Sequence, residues 1–271
     1  MLAVVMILAA NCSRHQDEKS SVPVTIAATD SGFTAPDTLE SGLNHIVYEN
    51  RGTMIHECMF IRLPQTMTPE QYLQAVREGA DFPPGAIDCS GPGLTSPGET
   101  LEMWLTLEPG EYLLGCWNKS HLTKIAPQTL TVVEATGPLV DPPHEDVTIR
   151  LIDFRFEVLG EIEPGVHTLK IETVGPSMHE VDMFRFHGAR TRAEFMAWYD
   201  GDRIASPPAT AMGGALDSHD TKNVVWLRRR FTMGHYFMIC EMPMVQNASP
   251  ADSAANVTHA HAGMTHEFTV E

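Results

Sequence analysis

The sequence holds no C-x-x-C pair, no G-x-x-x-x-G-K-[ST] loop, no G-x-S-x-G elbow and no H-E-x-x-H helix motif. With them go the signatures of dithiol redox, nucleotide-triphosphate, serine-hydrolase and zincin chemistry. Basic residues are scarce: 18 Lys and Arg stand against 35 Asp and Glu, a formal net charge of −17. Such a chain has no basic stripe to neutralise phosphates, which excludes a nucleic-acid partner and favours solubility or encounter with a basic one. Arg228-Arg229-Arg230 is its basic cluster, and it sits at the end of a strand-like run. Long apolar runs are missing too. The opening run, Met1 to Ala10, is too short to span a bilayer, for which about 20 apolar residues are needed, but it suits the apolar core of an export signal.

What is present is 271 residues with 43% hydrophobic content, enough for two ordinary domains with cores of their own. Leu8-Ala9-Ala10-Asn11-Cys12 resembles the bacterial lipoprotein signal, in which the cysteine is lipidated after cleavage. The expectation is an export segment and polar spacer over residues 1–21, with Cys12 the lipidated residue. That would place the protein in the periplasm or on the outer face of a bacterial membrane, with membrane contact only through the lipid anchor.

A tandem repeat sets the domain count. Val24-Thr25-Ile26 recurs as Val147-Thr148-Ile149, and the same offset carries Asp30 to Asp153, Phe33 to Phe156, Gly52 to Gly175, His56-Glu57 to His179-Glu180 and Arg62 to Arg185. The register then drifts slightly, with Trp104 matching Trp226 and Gly110-x-Tyr112-x-x-x-Cys116 matching Gly234-x-Tyr236-x-x-x-Cys240. The expected units are residues 22–137, a proline-rich linker over 138–146, and residues 147–271. Each copy reads as short alternating strands between turn residues, which predicts an all-β fold of two Greek-key sandwiches. In copy two the strands are expected at 147–154, 165–173, 179–186, 223–229, 235–240 and 267–270. A helix interrupts each copy: Thr68-Pro69-Glu70-Gln71 has the Thr cap and first-position Pro of a helix start, and residues 191–199 are its counterpart.

The chemistry gathers at the C-terminus. Cys240 ends an apolar run; after an eighteen-residue connection, Glu241 to Thr258, come His259, His261, Met264 and a last strand-like alternation. Thiolate, imidazole and thioether from adjacent strands are the soft donors that copper selects, and His179 is the candidate for a second imidazole. His259 and His261 compete for one role, and the spacing of five to Met264 favours His259. The pattern Gly-x-Tyr-x-x-x-Cys, then His-x-x-x-Gly-Met and a closing Val strand, resembles the cupredoxin family of type 1 copper proteins. An earlier Met-His-Glu at a strand start matches where that family places its first histidine. Carried over position by position, the resemblance assigns one copper ion to His179, Cys240, His259 and Met264 in copy two. It implies electron transfer or copper holding, more than catalysis, with a redox protein or a copper donor or acceptor as partner.

Copy one keeps His56, Cys116 and His121 as a weaker second set, with Lys124 and Ala126 where a Met would stand. The expectation is therefore a copy one without metal. If lipid consumes Cys12 and copper Cys240, three of the five cysteines remain, enough for one disulfide joining Cys116 to Cys58 or Cys89. The eighteen-residue connection predicts a less rigid ligand loop than in short-loop cupredoxins. Two other classes compete: a metal-free sandwich pair serving as a scaffold, with Cys240 and His179 as ordinary core residues, and a relative of multicopper oxidases or nitrite reductases. The latter needs several His-x-His motifs, and His259-Ala260-His261 stands alone.

Overall fold

The computed structural model describes residues 22–80, 83–118, 121, 126–138, 140–201, 206–219, 224–244 and 257–271. Cys12, Lys124 and most of the connection after Cys240 lie outside them. No described helix is long and apolar enough to cross a membrane.

Copy one contributes β1 (Val24–Thr29), β2 (Gly32–Thr34), β3 (Thr38–Glu40), β4 (Gly42–Asn50), β5 (Met59–Leu63), α1 (Pro69–Arg77), β6 (Ile87–Asp88), β7 (Thr100–Leu107), β8 (Gly110–Gly115) and β9 (Gln128–Val133). Copy two contributes β10 (Val147–Ile152), β11 (Arg155–Leu159), β12 (Gly165–Val174), β13 (Val181–Phe186), α2 (Arg192–Asp200), β14 (Ala209–Ala215), β15 (Val224–Phe231), β16 (Gly234–Ile239) and β17 (Thr265–Val270). Among the described elements the fold is all-β with one short helix in each copy. Thr68 and Thr191 cap the helices, each in a reciprocal box with the residue three on.

Alternation drives the layering. In β10 the residues Val147, Ile149 and Leu151 are buried, while Thr148, Arg150 and Ile152 between them are only partly so. Copy two packs a sheet of order β14-β13-β16-β17 against β11-β10-β12-β15, and copy one packs β3-β9-β8-β5-β6 against β7-β4-β1-β2. The sequence-based strand assignment missed β11 and β14. Phe154 turns the chain with a φ of 60°, so the strand expected over 147–154 ends at Ile152 and an antiparallel one follows over Arg155–Leu159. Strand β14, Ala-Thr-Ala-Met-Gly-Gly-Ala, has little of the β-branched and aromatic content by which strands are recognised.

The seam between the copies is the feature that internal similarity did not foretell. Strands β15 and β7 pair antiparallel, joining the two half-sheets into one 8-stranded sheet. Trp226 sits opposite Trp104, its own counterpart in the repeat, so a local pseudo-twofold runs through the pair. On the other layer Leu94 of copy one enters the aromatic cluster of copy two around Phe184, Phe195 and Phe237, while Leu216 of copy two enters the copy-one cluster around Tyr72, Ile61 and Leu113. The backbone repeats the exchange: Gly213 N–H donates to Leu94 O at 2.7 Å and Leu216 N–H to Gly91 O at 3.0 Å. Each copy thus completes the other's core through an isologous contact.

Candidate metal centre

Strand pairing brings the copy-two residues together. His179 lies just before β13 and Cys240 just after β16; the two strands are neighbours with Asp182 opposite Ile239. Strand β17 flanks β16 on its other side, with Thr265 opposite Ile239, which sets Met264 beside Cys240 along the backbone. Cys240 N–H donates to Met264 O at 3.3 Å, Ala260 N–H to Cys240 O at 3.0 Å and Met264 N–H to His259 O at 2.9 Å. A short tight turn, 259–264, is therefore stapled to the end of β16.

Three donor atoms converge within this frame. His179 Nδ1 and His259 Nδ1 are 3.0 Å apart, and Cys240 Sγ lies 3.4 Å from His259 Nδ1 and 4.0 Å from His179 Nδ1. All three residues are buried, and Met264 is fully so. Nε2 of His179 stands 3.0 Å from Asp153 Oδ1; taken as the donor to that carboxylate, it leaves Nδ1 with a lone pair. Burial, and then the neighbouring His179, depress His259 to about 4, which keeps His259 neutral. Burial, and then the charge of Glu180, push the Cys240 thiol up. Two imidazoles and a sulfur facing one point would hold a soft cation, with the thiol bound as its thiolate. The donor set thus fits copper. Glu180 N–H, 3.5 Å from the sulfur, would support the thiolate form.

His261 is directed elsewhere. Its Nδ1 takes Thr258 N–H at 3.0 Å and its Nε2 meets Asp200 Oδ1, at the end of α2, at 3.0 Å. The connection after Cys240 has described residues at both ends, and these are tied: Pro243 bridges Thr258, Met244 N–H reaches Val257 O at 2.8 Å and His259 N–H reaches Met242 O at 2.8 Å. The expected looseness of that connection does not extend to its base.

Copy one builds the same corner. Cys116 Sγ is 3.9 Å from His56 Nδ1 and 3.5 Å from His121 Nδ1, and His56 Nε2 is 3.0 Å from Asp30 Oδ1. Burial, and then Glu57, push the Cys116 thiol up to about 12. Cys116 carries a free thiol, as do Cys58 and Cys240, so the expected disulfide from Cys116 is absent; its sulfur faces two imidazoles instead.

Sequence reasoning missed the carboxylates that hold the histidines. Asp30 also accepts from Thr53 Oγ1 and N–H; the hydroxyl's bond, then that of His56, then that of the N–H keep its carboxyl well below the usual range. Asp153 is lowered too, first by His179. Their signal was present in the repeat, where Asp30 maps on Asp153, and so was that of Gly52 and Gly175, at which a Cβ would collide with the two carboxylates. Also unforeseen are the acids buried at the seam beside the centres. Burial raises Glu57 to about 8 and Asp217 to about 6, and raises Glu180 and Asp182 as well. Asp182 Oδ1 uses its place to accept Leu94 N–H from the other copy at 2.7 Å.

No family model matches the chain, and no curated protein does. Among solved structures it is similar to a reduced auracyanin from Roseiflexus castenholzii, with 16% identity over 42% of this chain and 98% of that one and a TM-score of 0.32. A multicopper oxidase covers 92% of this chain and 88% of its own at 13% identity and a TM-score of 0.28. The copper nitrite reductase from Nitrosomonas europaea covers 92% and 94% at 12% identity and a TM-score of 0.26. Likeness at this level carries no functional argument, and the reading of the centre rests on its own geometry.

Proposed function

We propose that the chain is a cupredoxin-like copper protein that holds copper, or passes electrons through it, at His179, Cys240 and His259, with Met264 as a fourth, weaker ligand. The observation that carries this is the convergence of one sulfur and two Nδ1 atoms within 3.0 to 4.0 Å of one another, buried, with His179 clamped by Asp153. A metal-free scaffold has no need of two imidazole lone pairs and a thiol at one buried point. Copper bound there would supply a one-electron couple in a site shielded from water. The chain's part is to hold the imidazole orientation through Asp153, to keep His259 neutral, and to present the thiolate to Glu180 N–H.

A second ion in copy one has its own support, since His56, Cys116 and His121 also bring their ligand atoms together. A multicopper oxidase reading is weakened, because the second imidazole of His259-Ala260-His261 is engaged by Thr258 and Asp200. Export, with a lipid on Cys12, and a redox or copper-exchange partner are part of the proposal.

The test is a titration of the purified full chain with Cu(II), following the visible thiolate-to-copper band and bound metal. An intense band that Cys240→Ser removes or halves supports the reading. Absence of both band and bound copper would sink it.

A further inference from the structure

A groove lies away from both candidate metal centres. It has a volume of about 530 Å³ and is lined by Arg185 from β13, by Arg228, Arg229 and Arg230 from β15, and by Glu99 and Glu102 from copy one. Four of the 18 basic residues of a chain with net charge −17 therefore meet in one place. Two of them are accounted for. Arg229 is buried and bonded to Glu99 and to Thr100 O, and Arg228 stacks 4.8 Å from the Trp104 ring with Glu102 at 3.5 Å.

The other two guanidinium groups are not matched. Among the described residues Arg185 and Arg230 form no ion pair; Arg185 donates to Met233 O at 3.1 Å, and both are exposed. Like charges drawn together without a counter-charge repel one another, so an arrangement of this kind is favoured when an anion enters it. Copy one keeps Arg62 at the place of Arg185 but shows that the fold does not require the other three. By the offset that relates Trp104 to Trp226, the counterparts of Arg228, Arg229 and Arg230 are Thr106, Leu107 and Glu108.

We propose that the groove binds a small molecule bearing carboxylate or phosphate oxygens, held between Arg185 on one sheet and Arg230 on the other. Guanidinium forks match such oxygens two at a time, and the groove volume falls in the range of small-ligand sites, about 300 to 1,000 Å³. The site is separate from the copper centre: His179 and Arg185 lie at opposite ends of one extended segment, about 20 Å apart at the rise of a strand.

The experiment is calorimetric titration of the full chain, metal-free and copper-loaded, with inorganic phosphate and in a second series with citrate. The expected result is saturable 1:1 binding of at least one anion, equal in the two metal states. Arg185→Gln and Arg230→Gln should each weaken it by about tenfold, the worth of a charge-assisted bond, whereas Arg77→Gln on α1 leaves it unchanged. A preference for phosphate or for citrate assigns the ligand class. If Arg185→Gln alters the melting curve, Arg230→Gln decides alone. No saturable heat with either anion would overturn the proposal, as would an equal loss in Arg77→Gln, which would mark a general charge effect.

Discussion

The two copies build one three-donor corner with different connections. In copy one Cys116 and its second histidine are 5 residues apart, in copy two Cys240 and His259 are 19 apart, yet the sulfur-to-nitrogen distances are 3.5 and 3.4 Å. The paired imidazole rings are 5.0 and 4.9 Å apart between centroids. Loop length therefore does not set the geometry. What the copies share does: an aspartate on Nε2 of the first histidine, a cysteine at the end of a central strand, and a glutamate after that histidine whose buried carboxyl lies at the seam. Copy two alone adds Met264, fully buried and bonded along the backbone to Cys240.

The largest effect that could break this comparison comes from the cysteines. Cys240→Ser should abolish copper at copy two. If copy one holds a second ion, metal content falls from two equivalents to one and a weaker thiolate band remains, which Cys116→Ser then removes. If the missing methionine leaves copy one empty, Cys240→Ser leaves no band and Cys116→Ser changes nothing. Metal analysis with the visible spectrum separates the cases, and a wild-type band that survives the double variant would refute both.

Next comes the seam. Leu227 and Met103 are opposite one another across β15 and β7, and both are fully buried. Leu227→Ala should cost about 2 to 5 kcal/mol, the range for a large-to-small change in a packed core. Because the sheet is continuous and Leu94 and Leu216 are exchanged, we expect this loss to lower the melting of both copies in one transition. Two separated calorimetric transitions would show that the copies fold independently. For the same reason residues 22–137 made alone should aggregate, with β7 left as a bare edge.

Smaller effects should follow from the carboxylate clamps. Asp153→Asn and Asp30→Asn keep a hydrogen-bonding group but lose the charge that orients His179 and His56. Outer partners of this kind change metal affinity by about 10- to 100-fold, and each variant should weaken copper at its own centre only. Competition with a chelator measures it. A loss at both centres from one substitution would mean that the seam couples them.

Much of this was legible because the repeat and the strand alternation are local in the chain. The Thr68-Pro69 start placed α1, and the spacing of Cys240, His259 and Met264 marked the corner. What was not legible depends on pairing at a distance. Asp153 could be seen to recur but not to face His179, since they are joined only when β10 and β13 lie in facing sheets. The seam is set by edges that carry no motif, and the buried acids Glu57, Glu180 and Asp182 look like surface residues until two copies close over them. The disulfide expectation failed because cysteine counting ignores what else a thiol can meet.

The smallest predicted effect bears on whether the longer connection of copy two needs help that copy one does not. Thr68 and Thr191 cap equivalent helices with matching bonds: the hydroxyl accepts the third N–H at 3.3 Å, and that residue's side chain accepts the cap N–H at 2.8 Å. Either Thr→Ala change should cost about 1 kcal/mol of stability, the usual worth of a cap. The consequences then diverge. Helix α2 ends on Asp200, which holds His261, and His261 in turn takes Thr258 N–H next to His259. A nine-residue helix loosened at its start transmits some of that motion to its end, since so short a helix has little stability of its own. Thr191→Ala should therefore lower copper affinity at copy two by about twofold, equivalent to roughly 0.4 kcal/mol. Thr68→Ala should leave copper binding as it was. Matched melting curves with unequal copper competition would support this chain of contacts, and equal affinities would show that the paired ends of the connection, Met242–Met244 against Val257–His259, hold the corner without α2.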